Sequence, residues 1–191
     1  GAPPCDPVHA RDAADGGRSV NAAPPPSILD LSRAELEAWC AAHGVPTYRA
    51  SQVATWLYRQ GASDFAAMKN LPADLRSTLA AELNVGLPEL THVSRSFDGT
   101  RKLLLRLGDG ATVESVLIPD GERLTLCVST QVGCAMGCGF CATATLGLQR
   151  HLRRGEIVGQ FLVARALVAA DVAAAETPPG DGEGLGGPGR I

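Results

Sequence analysis

Apolar residues recur at two different periods along this chain, and the change of period divides it. Between Ile28 and Leu83 they return every three or four positions, the spacing of amphipathic helices. Ser32-Arg-Ala-Glu35 reads as a capping box, with Leu36, Trp39 and Cys40 at helical spacing behind it and Gly44 as the stop. A second helix is predicted from Tyr48 to Gln60, placing Val53, Trp56 and Leu57 on one face, and Gly61 closes it. Pro72 suits the first turn of a third helix carrying Leu75, Leu79 and Leu83. Trp39, Trp56 and Phe65 are expected in the core of this module rather than on a base-stacking platform.

After Pro88 the period shortens. His92–Phe97, Lys102–Leu107, Thr112–Ile118 and Arg123–Ser129 predict four strands, joined by turns at Asp98-Gly99, Gly108-Asp-Gly110 and Pro119-Asp-Gly121. A cysteine-bearing loop follows the fourth strand directly. A long helix is then expected from Glu156 to Ala175, with Ile157, Phe161, Val168 and Val172 as its apolar stripe. A strand, a reactive loop and a helix in that order predict the first βα unit of a parallel barrel, whose sites lie at the C-terminal ends of strands. The expected fold class is therefore α+β passing into α/β: a helical accessory domain, antiparallel hairpins, and the start of an incomplete barrel.

Residues 1–26 are rich in Pro, Ala, Gly and Asp and too poor in large apolar groups to offset chain entropy, so they are expected to be disordered, Cys5 included. Residues 176–191 are expected to form a Gly/Pro-rich flexible insert or end. Gly182-x-Gly184-x-x-Gly187 there matches a dinucleotide fingerprint formally, but without a strand before it or a helix after it the match is rejected. The expected divisions are 1–26, 27–88 (helical), 89–122 (hairpins), 123–175 and 176–191. The chain starts at Gly1 rather than methionine, so its true start is expected upstream.

A net charge of −3 over 191 residues carries no global nucleic-acid signal. From Thr91 to Arg165, however, nine Arg/Lys stand against six Asp/Glu. Arg150, Arg153 and Arg154 form either a phosphate-binding patch or a solvated helix start. No secretory signal is evident, and the Ala/Val/Leu run after Ile157 is broken by Gln160, Arg165 and Asp171, which argues against a membrane span. A reducing cytoplasm is the expected compartment.

Cys134, Cys138 and Cys141 are spaced Cys-x3-Cys-x2-Cys, and three thiolates on one loop can hold a soft metal centre. In a four-ligand cube they leave one iron open, the mark of a working site. Zinc stays open as a reading, with Cys127 or His151 as fourth ligand, and an oxidising compartment would allow a disulfide. Gly133, Gly137 and Gly139 would let backbone approach a bound cluster closely.

Phe140 completes a Cys-x3-Cys-x-aromatic-Cys pattern, which resembles the signature of radical S-adenosylmethionine enzymes. More specifically, Leu124–Leu152, Gly155-Glu-Ile-Val-Gly-Gln160, Tyr48–Tyr58 and Val113–Pro119 resemble the RlmN family, which methylates the 2-position of adenine in 23S rRNA and tRNA. The resemblance implies a 4Fe–4S cluster on Cys134, Cys138 and Cys141, with S-adenosylmethionine bound at the open iron and cleaved reductively. It implies Glu114 as proton acceptor and Cys127 as the cysteine that resolves a covalent RNA–enzyme adduct through a transient disulfide. From the residues alone, Glu114 shares its strand face with Val116 and Ile118. A carboxylate on an apolar face is a plausible general base, the alternative being an exposed glutamate paired with an arginine. A lone strand cysteine such as Cys127 is more often a small buried hydrophobe. The resemblance further implies 23S rRNA and tRNA as partners, a flavodoxin-like electron donor, a monomer and no membrane. The family's methyl-carrying cysteine and Gly-Glu-Pro motif are not in these residues, so a truncated, inactive portion is expected. A related adenine-8 methyltransferase and a zinc-bound RNA-binding module are the alternatives.

Overall fold

The computed structural model describes residues 25–136, 138–139 and 147–176. Cys141, Gly137 and Phe140 lie outside them, as do residues 1–24 and 177–191, on which the expected disordered N-terminus and most of the Gly/Pro-rich tail fall.

A single 3-10 turn, Ile28–Asp30, leads into helix α1 (Arg33–Ala42). The capping box closes as expected: Glu35 N donates to Ser32 Oγ at 3.2 Å, and Ser32 N donates to Glu35 Oε2 at 2.6 Å. Helix α2 (Tyr48–Thr55) runs on as a π-turn, Trp56–Gln60, and stops at Gly61. Helix α3 (Ala73–Glu82) begins one residue after Pro72, which takes the N-cap position. Leu29, Val53, Leu57, Met68 and Leu79 are the centre of this apolar core. Phe65 is buried in it, while Trp39 and Trp56 pack partly buried against it. Their indole N–H groups reach outward to Glu82 (3.0 Å) and to Asn70. The tryptophans thus serve the core with one polar edge turned to water.

Four strands follow: β1 (Glu89–Arg95), β2 (Arg101–Arg106), β3 (Thr112–Asp120) and β4 (Arg123–Cys127), antiparallel in sheet order β1-β2-β3-β4. β1 starts earlier than its periodicity suggests because a bulge between Leu90 and His92 breaks the alternation. Leu103, Leu105, Val113 and Leu117 turn to the core side of this sheet.

The cysteine loop does not follow β4 directly. A short strand β5 (Gln131–Gly133) intervenes and pairs antiparallel with β6 (Leu148–His151), so the loop has its own two-stranded neck. Both sheets are antiparallel throughout, and the one parallel bridge among the described residues joins Ser27 to Asn84. β4 pairs with β3 alone, so the described residues show helices and antiparallel sheet rather than a parallel βα unit.

Helix α4 (Arg154–Glu176) ties the two halves together. Ile157, Val163, Ala164, Leu167 and Val168 join the sheet's core, while Val158 and Leu162 join the helical core. A Cβ at Gly159 would press into the Pro88 ring, so glycine is what lets α4 lie this close to the end of the helical module. The expected stripe is only partly buried, for Phe161 is 50% and Val172 51% exposed. Glu156 and Gln160 are buried instead. The helix is apolar round much of its circumference, so period alone cannot select the inward face. By length and composition, Arg154–Ala174 is also long and apolar enough to cross a membrane, although its first turns are built into the two cores.

Candidate active site at the cysteine loop

The β5–β6 neck sets where the cysteines emerge. Cys134 N donates to Gly147 O at 3.1 Å, closing the loop just beyond Gly133. Gly133 has φ +74°, and a Cβ there would collide with the Gly147 carbonyl oxygen. Glycine is therefore required at the neck, whereas Gly139 has open space around it. Cys134 and Cys138 are free, partly exposed thiols, and Met136 N donates to Cys134 Sγ at 3.4 Å. Two accessible sulfurs on one short loop, one already accepting an amide, are a donor set that fits a soft metal or iron–sulfur centre. Among the described residues no three His, Cys, Asp or Glu side chains gather, so neither Cys127 nor His151 joins Cys134 and Cys138 there.

Glu114 and Cys127 come from adjacent strands. The register sets Val116 opposite Cys127, so Cys127 projects from the same sheet face as Val116 and, two residues along β3, Glu114. The expected sharing of a face by Glu114, Val116 and Ile118 holds, but that face is the one turned away from the core. Val113, Ser115 and Leu117 take the inward positions, so Glu114 stands 49% exposed and pairs with Lys102 Nζ at 3.0 Å. Cys127 is exposed rather than a buried hydrophobe.

Behind this face lies a buried polar network that sequence reasoning did not anticipate. Gln160, 0% exposed, accepts at Oε1 from Ser115 Oγ (2.8 Å) and Ser129 N (2.9 Å), and its Nε2 donates to Ser129 O (2.9 Å). Ser129 Oγ in turn donates to Glu114 O at 2.7 Å. One turn earlier on α4, Glu156 accepts from Arg150 at 2.8 and 2.9 Å and from the Arg153 amide at 2.8 Å. Arg150 also reaches Asp109 at 2.6 Å. Burial pushes the Glu156 carboxyl upward, but the Arg150 guanidinium and the Arg153 amide outweigh it and leave its pKa below the ordinary value. The hydrogen bonds to Glu156, then those to Asp109, outweigh burial to raise Arg150 well above its ordinary value. The signal for this network was a glutamate and a glutamine four apart near the start of a mostly apolar helix.

The three arginines therefore each face a carboxylate. Arg150 is a strut between the loop neck, α4 and the β2–β3 turn. Arg153 lies 3.4 Å from Glu156 and 3.7 Å from Asp30, and Arg154 lies 4.0 Å from Glu35, though both keep more than half of their side-chain surface exposed. Arg150 and Arg153 line a cleft of about 810 Å³ with Ser27, Asn84, Asp109 and His151, between the helical module and the sheet.

Residues 27–85 match the model of the ribosomal RNA large subunit methyltransferase N-terminal domain. The chain is 50% identical over 145 residues to the dual-specificity RNA methyltransferase RlmN of Nitratidesulfovibrio vulgaris, a match covering 73% of this chain and 40% of that protein. It is 45% identical over 147 residues to the RlmN of Desulfosudis oleivorans, covering 77% and 40% respectively. Its fold is similar to the crystal structure of a radical SAM methyltransferase from Sphaerobacter thermophilus, with TM-score 0.70 and 47% identity over 76% of this chain and 44% of that one. The chain spans about two fifths of the length of the curated relatives it matches. Over the residues matched, the chain is thus similar to the RlmN methyltransferases, with its helical module matching the N-terminal domain model.

Proposed function

We propose that this chain is a portion of a radical S-adenosylmethionine methyltransferase acting on the 2-position of adenine in 23S rRNA and tRNA. The observation that carries the reading is the cysteine loop, with its Cys-x3-Cys-x2-Cys spacing and a neck that requires Gly133. Cys134, Cys138 and Cys141 would hold a 4Fe–4S cluster, leaving one iron for S-adenosylmethionine. When bound, the cluster supplies the electron for reductive cleavage of that cofactor, from a flavodoxin-like donor.

The chain's own residues do the rest. Glu114 accepts a proton, its carboxylate held by Lys102 on the open face of the sheet. Cys127 acts from the same face as the thiol that resolves an RNA–enzyme adduct by forming a disulfide with a second cysteine. Residues 27–88 serve as the RNA-binding accessory domain and 89–122 as the hairpin segment. Residues 123–175 form the start of a radical SAM barrel that acts as a cytoplasmic monomer. Arg153 and Arg154, with their exposed surfaces, contact RNA phosphate, while Arg150 holds the loop neck.

Anaerobic reconstitution with iron and sulfide tests the reading. The expected product is a brown protein with about four irons and four sulfides per chain, whose spectrum changes on adding S-adenosylmethionine. The colour should be lost in Cys138→Ala. One zinc per chain in anaerobically purified protein, or colour unchanged in Cys138→Ala, would overturn the proposal.

A further inference from the structure

We infer that Gln160 is a positioning residue that sets the Glu114–Cys127 face relative to the cysteine loop, an assignment that rests on the function proposed above. Ser129 lies between Cys127, at the end of β4, and Gln131, at the start of β5. Its backbone has no strand neighbour of its own beyond β4. Gln160 takes that place: its amide accepts from Ser129 N and donates to Ser129 O, both at 2.9 Å, as the two edges of a paired strand residue would. The same Oε1 takes the Ser115 hydroxyl at 2.8 Å, and Ser129 returns a bond to the Glu114 carbonyl at 2.7 Å. One buried side chain thus fastens the residue after Glu114 to the segment leading from Cys127 into the loop, and Ser129 of that segment holds the Glu114 carbonyl in turn.

The other foot of the loop is held one helical turn earlier, where Glu156 grips Arg150 of β6. Gln160 Nε2 also donates to the Glu156 carbonyl at 3.3 Å, so the two anchors share one rigid turn of α4. Both feet of the cysteine loop are therefore referenced to the same helix. An apolar residue at 160 would leave the half-buried Ser129 N–H and C=O without these partners, and the segment would have to move to find others.

The test compares wild type, Gln160→Met, and Val53→Ala as a control that weakens the helical core without touching the network. Amide hydrogen exchange on the labelled chain should rise by about tenfold at Ser129 and along the Val116–Cys127 pairing in Gln160→Met. The Val93–Leu103 pairing of β1 and β2 should change no more than in the control. After anaerobic reconstitution, the paramagnetic resonance spectrum of the reduced cluster should differ from wild type in Gln160→Met and match it in Val53→Ala. Uniform loss of protection across all strands, or a cluster spectrum identical to wild type, would show that Gln160 only stabilises the fold. If Gln160→Met does not fold, Ser115→Ala removes one bond of the same clamp and should give the same local pattern with smaller amplitude. A uniform response in Ser115→Ala would count against the clamp equally. Failure of the wild type to assemble any cluster would sink the functional reading, while the exchange pattern would still decide the role of Gln160 as a clamp.

Discussion

The helical module and the sheet-and-loop half are stabilised in different ways. In the first, Leu29, Val53, Leu57, Met68 and Leu79 make an apolar core, and the caps close within three residues of themselves. In the second, the strands contribute Leu103, Leu105, Val113 and Leu117, and the neck of the cysteine loop adds a set of polar contacts to the buried Val132 and Leu152. Those contacts join residues far apart in sequence: Ser115 to Gln160 across 45 positions, Asp109 to Arg150 across 41. Apolar burial tolerates small displacements, whereas a bidentate amide or guanidinium contact fails when its partner moves by an ångström.

The largest effect is expected in the apolar half. Leu79→Ala should cost about 3–4 kcal/mol, measured by denaturant unfolding. Because Leu162 of α4 belongs to the helical core and Ala164 to the sheet core, the loss should appear as one shifted transition seen equally by fluorescence and circular dichroism. Two separated transitions would mean that α4 does not couple the halves.

Arg150→Ala attacks the polar half and should cost about 3 kcal/mol, since Glu156 stays buried with only Arg153 beside it. It should also change the pH profile. The folded-state pKa of Glu156 is depressed, so its contribution is present above the unfolded carboxyl value and is lost as pH falls through the folded one. The acid limb of the stability curve should flatten in the variant. An unchanged acid limb would show that the pair adds nothing in solution.

Gly133→Ala should be milder for global stability, about 2 kcal/mol, yet decisive for the loop. The added methyl group has to displace the Gly147 carbonyl, so iron incorporation should fall sharply while the helical module's exchange protection is retained. Normal iron content would place the neck outside the site.

The smallest effect belongs to His43, at the surface of the helical half. Its pKa is raised by the Trp39 carbonyl and then by the Glu82 carboxylate. Its stabilising contribution should be fully present below the unfolded histidine value and disappear as pH rises through the raised one. A nuclear magnetic resonance titration should place its midpoint above the ordinary value of about 6.5, and Glu82→Gln should bring it back down. A midpoint unmoved by Glu82→Gln would assign the shift to the Trp39 carbonyl alone.

Much of the frame was legible because its causes are local. Ser32 and Glu35 cap α1 from within four residues, Gly61 ends the second helix, and the turns at Gly99, Gly110 and Gly121 deliver the hairpins where the pattern puts them. The cysteine spacing carries its chemistry in the same local way, as does the parity that sets Glu114, Val116 and Ile118 on one face. Tertiary structure alone decided which face of β3 meets the core, because alternation is the same for either choice until α4 packs on one side. It decided the inward side of α4, where Glu156 and Gln160 displaced Phe161 and Val172: Glu156 is held by the nearby Arg150 and Arg153, and Gln160 by Ser115 and Ser129, brought from 45 and 31 positions away. It also brought Asp109 onto Arg150 across 41 positions, a pairing that exists only once the β2–β3 turn meets the loop neck. Local chemistry is written in neighbours along the chain, while the partners of a buried amide such as Gln160 are chosen by the fold.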